Sequence, residues 1–131
     1  MLRSLAVAGG AAPDLVWRRY AELDLWPQWA PFITAVDATE RELRVGLSGI
    51  VHGPLRVRAV FEVDAVDAVA RTWHWSVRSG PLHLDLGHEV IARPGGGTVA
   101  TLGLQGAAPV VLGYLGPAAL ALRQLVRPSV P

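Results

Sequence analysis

Apolar and polar residues follow two different periods along the chain, and the period changes mark its elements. Leu2 to Ala8 reads as a first strand, ended by the turn pair Gly9-Gly10. Pro13 and Asp14 then look like a helix start, with proline in the first turn and an acid near the positive end of the dipole. Leu15, Val16, Tyr20 and Leu23 form its apolar stripe, and Asp24 closes it. Trp26-Pro27-Gln28-Trp29-Ala30-Pro31-Phe32-Ile33 is too rich in proline for a long helix and reads as a short second one, bent back on the first. From Thr39 the period becomes two. Leu43, Val45 and Leu47 alternate with Arg44 and Gly46, and Ser48 to His52 forms a further short strand before the Gly53-Pro54 turn.

The clearest strand follows. Leu55, Val57, Ala59, Phe61 and Val63 share one face, with Arg56, Arg58, Val60, Glu62 and Asp64 on the other. In the next, Trp73, Trp75 and Val77 alternate with Thr72, His74, Ser76 and Arg78. After Gly80-Pro81, Leu82, Leu84, Leu86, His88 and Val90 alternate with His83, Asp85, Gly87 and Glu89. Pro94-Gly95-Gly96-Gly97 is a hairpin loop before the last strand, Thr98 to Gln105, whose inward face is ambiguous. Beyond Gly106 a helical stripe returns in Val111, Tyr114, Leu115, Ala118, Leu122 and Leu125. Pro117 is expected to kink or restart this helix, and Arg123 and Arg127 lie near its negative end. Short connections and one wet face per strand predict an antiparallel sheet. The final helix offers the main apolar surface to cover it. The expected fold is α+β: a curved antiparallel sheet of six or seven strands wrapped around a long C-terminal helix, with two short helices after strand one. A sheet curved in this way encloses more volume than one helix fills, so an internal cavity is expected.

Composition changes this picture in three places. The 131 residues suit one domain, taken as residues 1–131. With no cysteine, a disulfide framework, a zinc-thiolate site and a cysteine nucleophile are excluded, and with no lysine among the basic residues Schiff-base chemistry is excluded too. A net charge of +1 argues against nucleic acid as a partner. Hydrophobic residues reach 51%, and no charge falls between Arg93 and Arg123. That run is broken by Gly95-Gly96-Gly97, Gly106 and Pro109, so it reads as a strand and a buried helix, not as a membrane span. The N-terminus reads as a strand and not as a signal peptide, and a cytoplasmic protein is expected.

Several segments together resemble a known superfamily. Ala12-Pro13-Asp14-Leu15-Val16-Trp17 is followed by Asp24-Leu25-Trp26-Pro27-Gln28-Trp29-Ala30-Pro31. Trp73-His74-Trp75, Gly87-His88 and Gly96-Gly97-Thr98-Val99 come later. With these the chain resembles, over nearly its whole length, the SRPBCC superfamily of START-like and polyketide cyclase proteins. The resemblance implies the helix-grip fold, and it implies a cavity that receives a hydrophobic ligand. The terminal helix departs from the pattern in carrying Gly113, Gly116 and Pro117.

The candidate site is built on that fold. Trp17 and Tyr20 are expected to pack the first helix onto the sheet. Trp26, Trp29 and Phe32 are divided between core packing and the cavity mouth. Trp73 and Trp75 would line the concave side, where an indole offers a broad apolar face and one N–H donor, together with Phe61, Leu84 and Leu86; simple core packing is the alternative for the two tryptophans. His88 is the one histidine in register with the inward leucines. Desolvation would keep it neutral and able to exchange a proton, and a hydrogen-bonded structural histidine is the alternative. A bulge at Gly87 would turn it outward. Tyr114 would place a hydroxyl over the cavity, Gln105 and Thr101 would bond a ligand carbonyl if they face inward, and His52 would reach the mouth. His74 and His83 read as surface residues, and Arg56, Arg58 and Arg71 as a solvated face with Glu62 and Asp64. No cluster has the spacing of a metal site, and no cofactor is expected.

Two functions compete. One is a cyclase that confines a hydrophobic, oxygenated chain and promotes ring closure, with or without loss of water, His88 acting as acid and base and Tyr114 as donor to a carbonyl. The other is a carrier or sensor of a lipid, quinone or similar apolar molecule, using the same cavity without proton chemistry. A partner-docking module is a third, which the small net charge does not favour. The protein is expected as a monomer or homodimer.

Overall fold

The computed structural model describes Met1 to Pro128. Seven strands form one antiparallel sheet: β1 (Leu2–Gly9), β2 (Ala35–Ala38), β3 (Ser48–His52), β4 (Arg58–Asp67), β5 (Thr72–Ser79), β6 (Leu82–Ala92) and β7 (Thr98–Gly106). Their order across the sheet is β1-β7-β6-β5-β4-β3-β2, so only the β1–β7 neighbours are far apart in sequence. Helices α1 (Pro13–Ala21) and α2 (Trp26–Trp29) follow β1, and α3 (Ala108–Leu125) lies in the concave face.

Period-two alternation is what makes the strands one-sided. In β7 Thr98, Ala100, Leu102 and Leu104 are buried, which settles the inward face of that strand and turns Thr101 and Gln105 outward. β6 keeps unbroken register with both neighbours, so Gly87 forms no bulge and His88 stays in line with Leu84, Leu86 and Val90. The irregularity lies in β4 instead, between Val63 and Ala65.

Three elements differ from the sequence reading. Residues 39–47 are not a strand, although Leu47 is buried; the strand that pairs with β3 is Ala35–Ala38, too short to show its period. Leu55 and Val57 precede β4 rather than belonging to it, because Leu55 and Arg56 adopt left-handed φ values of 58° and 61° in a turn. Finally, α3 runs through Pro117 without restarting. Its buried residues Val111, Ala118, Leu122 and Leu125 follow the expected stripe. Although α3 is apolar, no helix among the described residues is long and apolar enough to cross a membrane.

The C-terminal end of α3 is fixed by contacts the periodicity did not reveal. Arg19 of α1 is buried, and its Nη1 donates to the carbonyls of Leu125 (2.6 Å) and Arg127 (2.7 Å). The Ala11 N–H donates to the Val126 carbonyl. The cation at the negative end of α3 therefore comes from α1, and Arg123 stays exposed. Thr98 Oγ1 donates to the Ala11 carbonyl at 2.6 Å, tying β7 to the same junction.

Gly9 makes this close approach possible. A Cβ there would lie 2.3 Å from the Val126 carbonyl oxygen, whereas one at Gly113 of α3 would meet nothing within 4 Å. Gly9→Ala is expected to destabilise the fold by about 2–3 kcal/mol through overpacking. Gly113→Ala is expected to stabilise it by up to about 1 kcal/mol through helix propensity. Urea denaturation midpoints of the two variants check both signs.

Candidate functional site

Two regions fill the concave side of the sheet, and they differ in chemistry. Beneath α1 and α2 is a sealed aromatic cluster. Trp26 packs against Trp73 in a stacked pair at 5.8 Å and edge-on to Trp75 at 5.2 Å, while Tyr20 meets both Trp29 and Trp73 edge-on. The two helical indoles direct their N–H groups to backbone carbonyls, Trp26 to Tyr20 and Trp29 to Arg19, each at 2.9 Å. These tryptophans thus secure α1 and α2 on the sheet.

His88 belongs to this cluster. Cross-strand pairing sets it opposite Trp73, and the two rings stack with centroids 4.3 Å apart. Trp75 Nε1 donates to His88 Nε2 at 2.9 Å, and His88 Nδ1 meets the Tyr20 hydroxyl at 3.1 Å. An indole N–H only donates, so Nε2 must be the acceptor and the neutral ring carries its proton on Nδ1, towards Tyr20. Burial, and secondarily the charge of His74, push the imidazole pKa down to about 3. Both ring nitrogens are engaged and neither faces open space.

Towards the other end of the sheet lies a cavity of about 510 Å³, within the range of small-molecule sites. Its walls are Val51 of β3, Ala59 of β4, Trp75 and Val77 of β5, and Leu84 and Leu86 of β6. Phe32 and Ile33 close one side, and Pro109, Val110, Gly113 and Tyr114 of α3 lie above. Tyr114 stands edge-on to Phe32, with centroids 5.6 Å apart. Burial raises the Tyr114 pKa, so its hydroxyl stays protonated. Ser79, also on the wall, already donates to the Arg58 carbonyl. The Trp75 N–H is spent on His88, which leaves an apolar indole face to the cavity.

The expected site residues therefore divide. Phe32, Trp75, Leu84, Leu86 and Tyr114 line the cavity. Trp26, Trp29, Phe61, Trp73 and His88 are buried behind it, because two short helices and the indole-bearing strand β5 need that volume for their own packing. Gln105 leaves the candidate set, exposed on the convex face by the phase of β7. His52 borders the mouth, but register sets it with Ile50 and Asp37 on the convex face, where its Nε2 pairs with Asp37 at 2.7 Å. His83 borders the mouth as well and pairs with Asp85. The expected arginine face also rearranges, since Arg71 bonds Asp14 of α1 and His74 takes Asp64. Tyr20, read as packing, also holds His88. Val51 of β3 and Val110 of α3 line the cavity as well, and no chemical signature distinguishes such small aliphatics in the sequence, while Val77 follows the inward face already read for β5.

Residues 6–129 match the model of the family described as "Polyketide cyclase / dehydrase and lipid transport", and the chain belongs to that family. Solved structures with the same Bet v1-like fold include the crystal structure of Ara h 8.0201, with a TM-score of 0.76, 12% identity, and coverage of 95% of this chain and 94% of that one. Another is a putative uncharacterized protein from Bacillus thuringiensis, with a TM-score of 0.78, 12% identity and 96% of both chains covered. No curated protein matches the chain.

The His88 environment has a measurable consequence. A histidine whose folded pKa is depressed binds fewer protons than the unfolded chain does. Its contribution is complete above the unfolded value near 6.5 and is lost as pH falls towards about 3. Between pH 7 and 5 this amounts to about 2 kcal/mol. His88→Gln, which can accept from Trp75 and donate to Tyr20 without titrating, is expected to flatten that loss. Urea midpoints across the interval, compared between the two proteins, check it.

Proposed function

We propose that the protein binds one mostly hydrocarbon molecule with a single hydrogen-bond acceptor, and holds or carries it without turnover. One observation carries this reading. The inward histidine is sealed behind Trp75 with both nitrogens bonded, and the two histidines at the mouth, His52 and His83, lie in register on the convex face against Asp37 and Asp85, so no inward side chain of the cavity is suited to accept a proton. Ring closure by carbon–carbon bond formation requires a proton to leave the carbon beside a carbonyl, and the inward wall beneath Tyr114 offers no base for it. Tyr114 is instead suited to donate its O–H to a carbonyl, ether or ester oxygen. The family's description includes lipid transport, which agrees with this use, and cyclisation, which favours the second reading of an enzyme that works by confinement with Tyr114 polarising a carbonyl.

Displacement of the apolar dye N-phenyl-1-naphthylamine tests the proposal. Gly113 lines the cavity and has open space above it. Gly113→Leu is therefore expected to fill the hollow and weaken dye binding about tenfold, roughly 1.4 kcal/mol, without loss of stability. A long-chain methyl ketone should displace the dye better than the alkane of equal length. Tyr114→Phe should remove that preference, worth about 1 kcal/mol. A linear poly-β-ketone should cyclise no faster, and to no different products, with the protein than in buffer alone. Accelerated formation of a cyclised product, lost in Tyr114→Phe, would establish the enzyme reading instead.

A further inference from the structure

The rim of the cavity presents apolar side chains to solvent and carries charge of one sign. Four segments form it: the turn after α2, the β3–β4 connection, the β5–β6 turn and the first turns of α3. Leu55 is 96% exposed, and Val57, Leu82 and Leu112 are each more than half exposed. Val57 and Leu82 border the opening themselves, while Leu55 lies between the bordering residues Gly53 and Val57, and Leu112 between Val110 and Gly113. Leu55 and Arg56 occupy the left-handed region that L residues rarely adopt. The turn thus projects a leucine where an ordinary turn would carry a polar residue.

Residues 30–34, 52–59, 77–84 and 107–114 contain Arg56, Arg58 and Arg78 and no carboxylate, in a chain whose basic and acidic totals are 12 and 11. Arg78 pairs in register with Val60, two residues from Arg58, so both arginines project from the same patch of the convex face. Asp37 and Asp85, on that face, are already bonded to His52 and His83, and Glu62, also on it, lies two residues beyond Val60 along β4, outside the segments that form the rim. Elsewhere Arg18, Arg41, Arg44 and Arg71 each meet a carboxylate, whereas the three rim arginines have none among the described residues.

The geometry points to a docking surface for a membrane rich in anionic phospholipid, with the leucine and valine tips in the headgroup boundary and Arg56, Arg58 and Arg78 on lipid phosphates. This rests on reading the cavity as a site for apolar cargo. Such cargo has little residence in water, and a rim seated on a bilayer opens the cavity directly onto the phase that holds it. Separate apolar tips around an opening, with unpaired cations beside them, match the layered chemistry of a lipid surface, apolar below and anionic above.

Co-sedimentation with vesicles of phosphatidylcholine alone, and of phosphatidylcholine with an equal part of phosphatidylglycerol, tests the surface. The mixed vesicles are expected to bind the protein about tenfold better, with the advantage lost at high salt. Leu55→Asp and Arg58→Glu should each weaken that binding about tenfold. Val69→Asp, at an equally exposed apolar site in the β4–β5 turn, should not. Dye binding in the cavity is measured on the same preparations and should be unchanged in all three variants. If the dye binds but sedimentation is the same for both vesicle types, or for wild type and Leu55→Asp, the docking surface is overturned and the cargo reading stands. If the dye does not bind wild type, the cargo reading falls first. A concentration-dependent dimer broken by Leu55→Asp, without vesicle binding, would assign the rim to self-association and overturn the proposal as well.

Discussion

The architecture depends on how tightly one end of α3 is held. At Gly9 the β1 backbone comes so near the Val126 carbonyl that no side chain fits between them, and the buried Arg19 guanidinium closes on the carbonyls of Leu125 and Arg127. A buried cation needs compensation, and carbonyls at a helix C-terminus, where the dipole is negative, supply it without a carboxylate. The same residue offers its own carbonyl to the Trp29 N–H. Thus α1, α2, β1 and the end of α3 share one junction. A single helix pinned there cannot also descend into the other end of a curved seven-stranded sheet. The space that remains is the cavity beneath Pro109, Gly113 and Tyr114.

Polar chemistry is distributed to match. The half of the core beneath α1 and α2 contains an imidazole, a phenol and four indoles, and most of their hydrogen-bonding groups satisfy one another or the backbone. Among the described residues only Trp73 Nε1 is buried without a partner. His88 completes this internal set: by accepting from Trp75 it turns the indole N–H away from the cavity and fixes the ring as an apolar wall. A residue that looks catalytic by type and register acts on the site through Trp75.

Much of this was legible in the sequence because alternation over eight to eleven residues has one physical meaning. β4, β5 and β6 each set their apolar set towards the core, and the stripe Val111, Ala118, Leu122 and Leu125 gave α3 its buried face. Short or mixed segments were less legible. Leu43, Val45 and Leu47 alternate by chance in a connection, while β2 has only Val36 buried. β7 mixes alanine, threonine and glycine, so its phase emerged only from pairing with β1 and β6. The site was half legible. Inward register identifies which residues point to the concave side but not how far along the sheet α1 and α2 extend. Trp73 and His88 lie under that cover, and Trp75, two residues further on, reaches past it. Arg19 gave no signal, since an arginine on an amphipathic helix ordinarily faces water.

An apolar hollow lowers the stability of the protein that contains it, because atoms on its wall lack partners on one side. Here the wall consists of valines, leucines, Trp75 and Phe32, which bind water poorly, so a hydrocarbon entering it gains dispersion contacts while displacing little bound solvent. Recognition by such a wall is by volume and shape. On the proposed reading, Tyr114 adds one direction, a donor on the helix side, and would distinguish an oxygenated molecule from a pure alkane by about the value of one hydrogen bond. Because Tyr114, Gly113 and Pro109 belong to the half of α3 far from the Arg19 junction, whatever fills the cavity also supports the less anchored part of the helix. Binding and the stability of that half of α3 are therefore linked: a ligand that fits the cavity would stabilise the fold by mass action, and it would do so beneath the part of the helix that lies over the hollow.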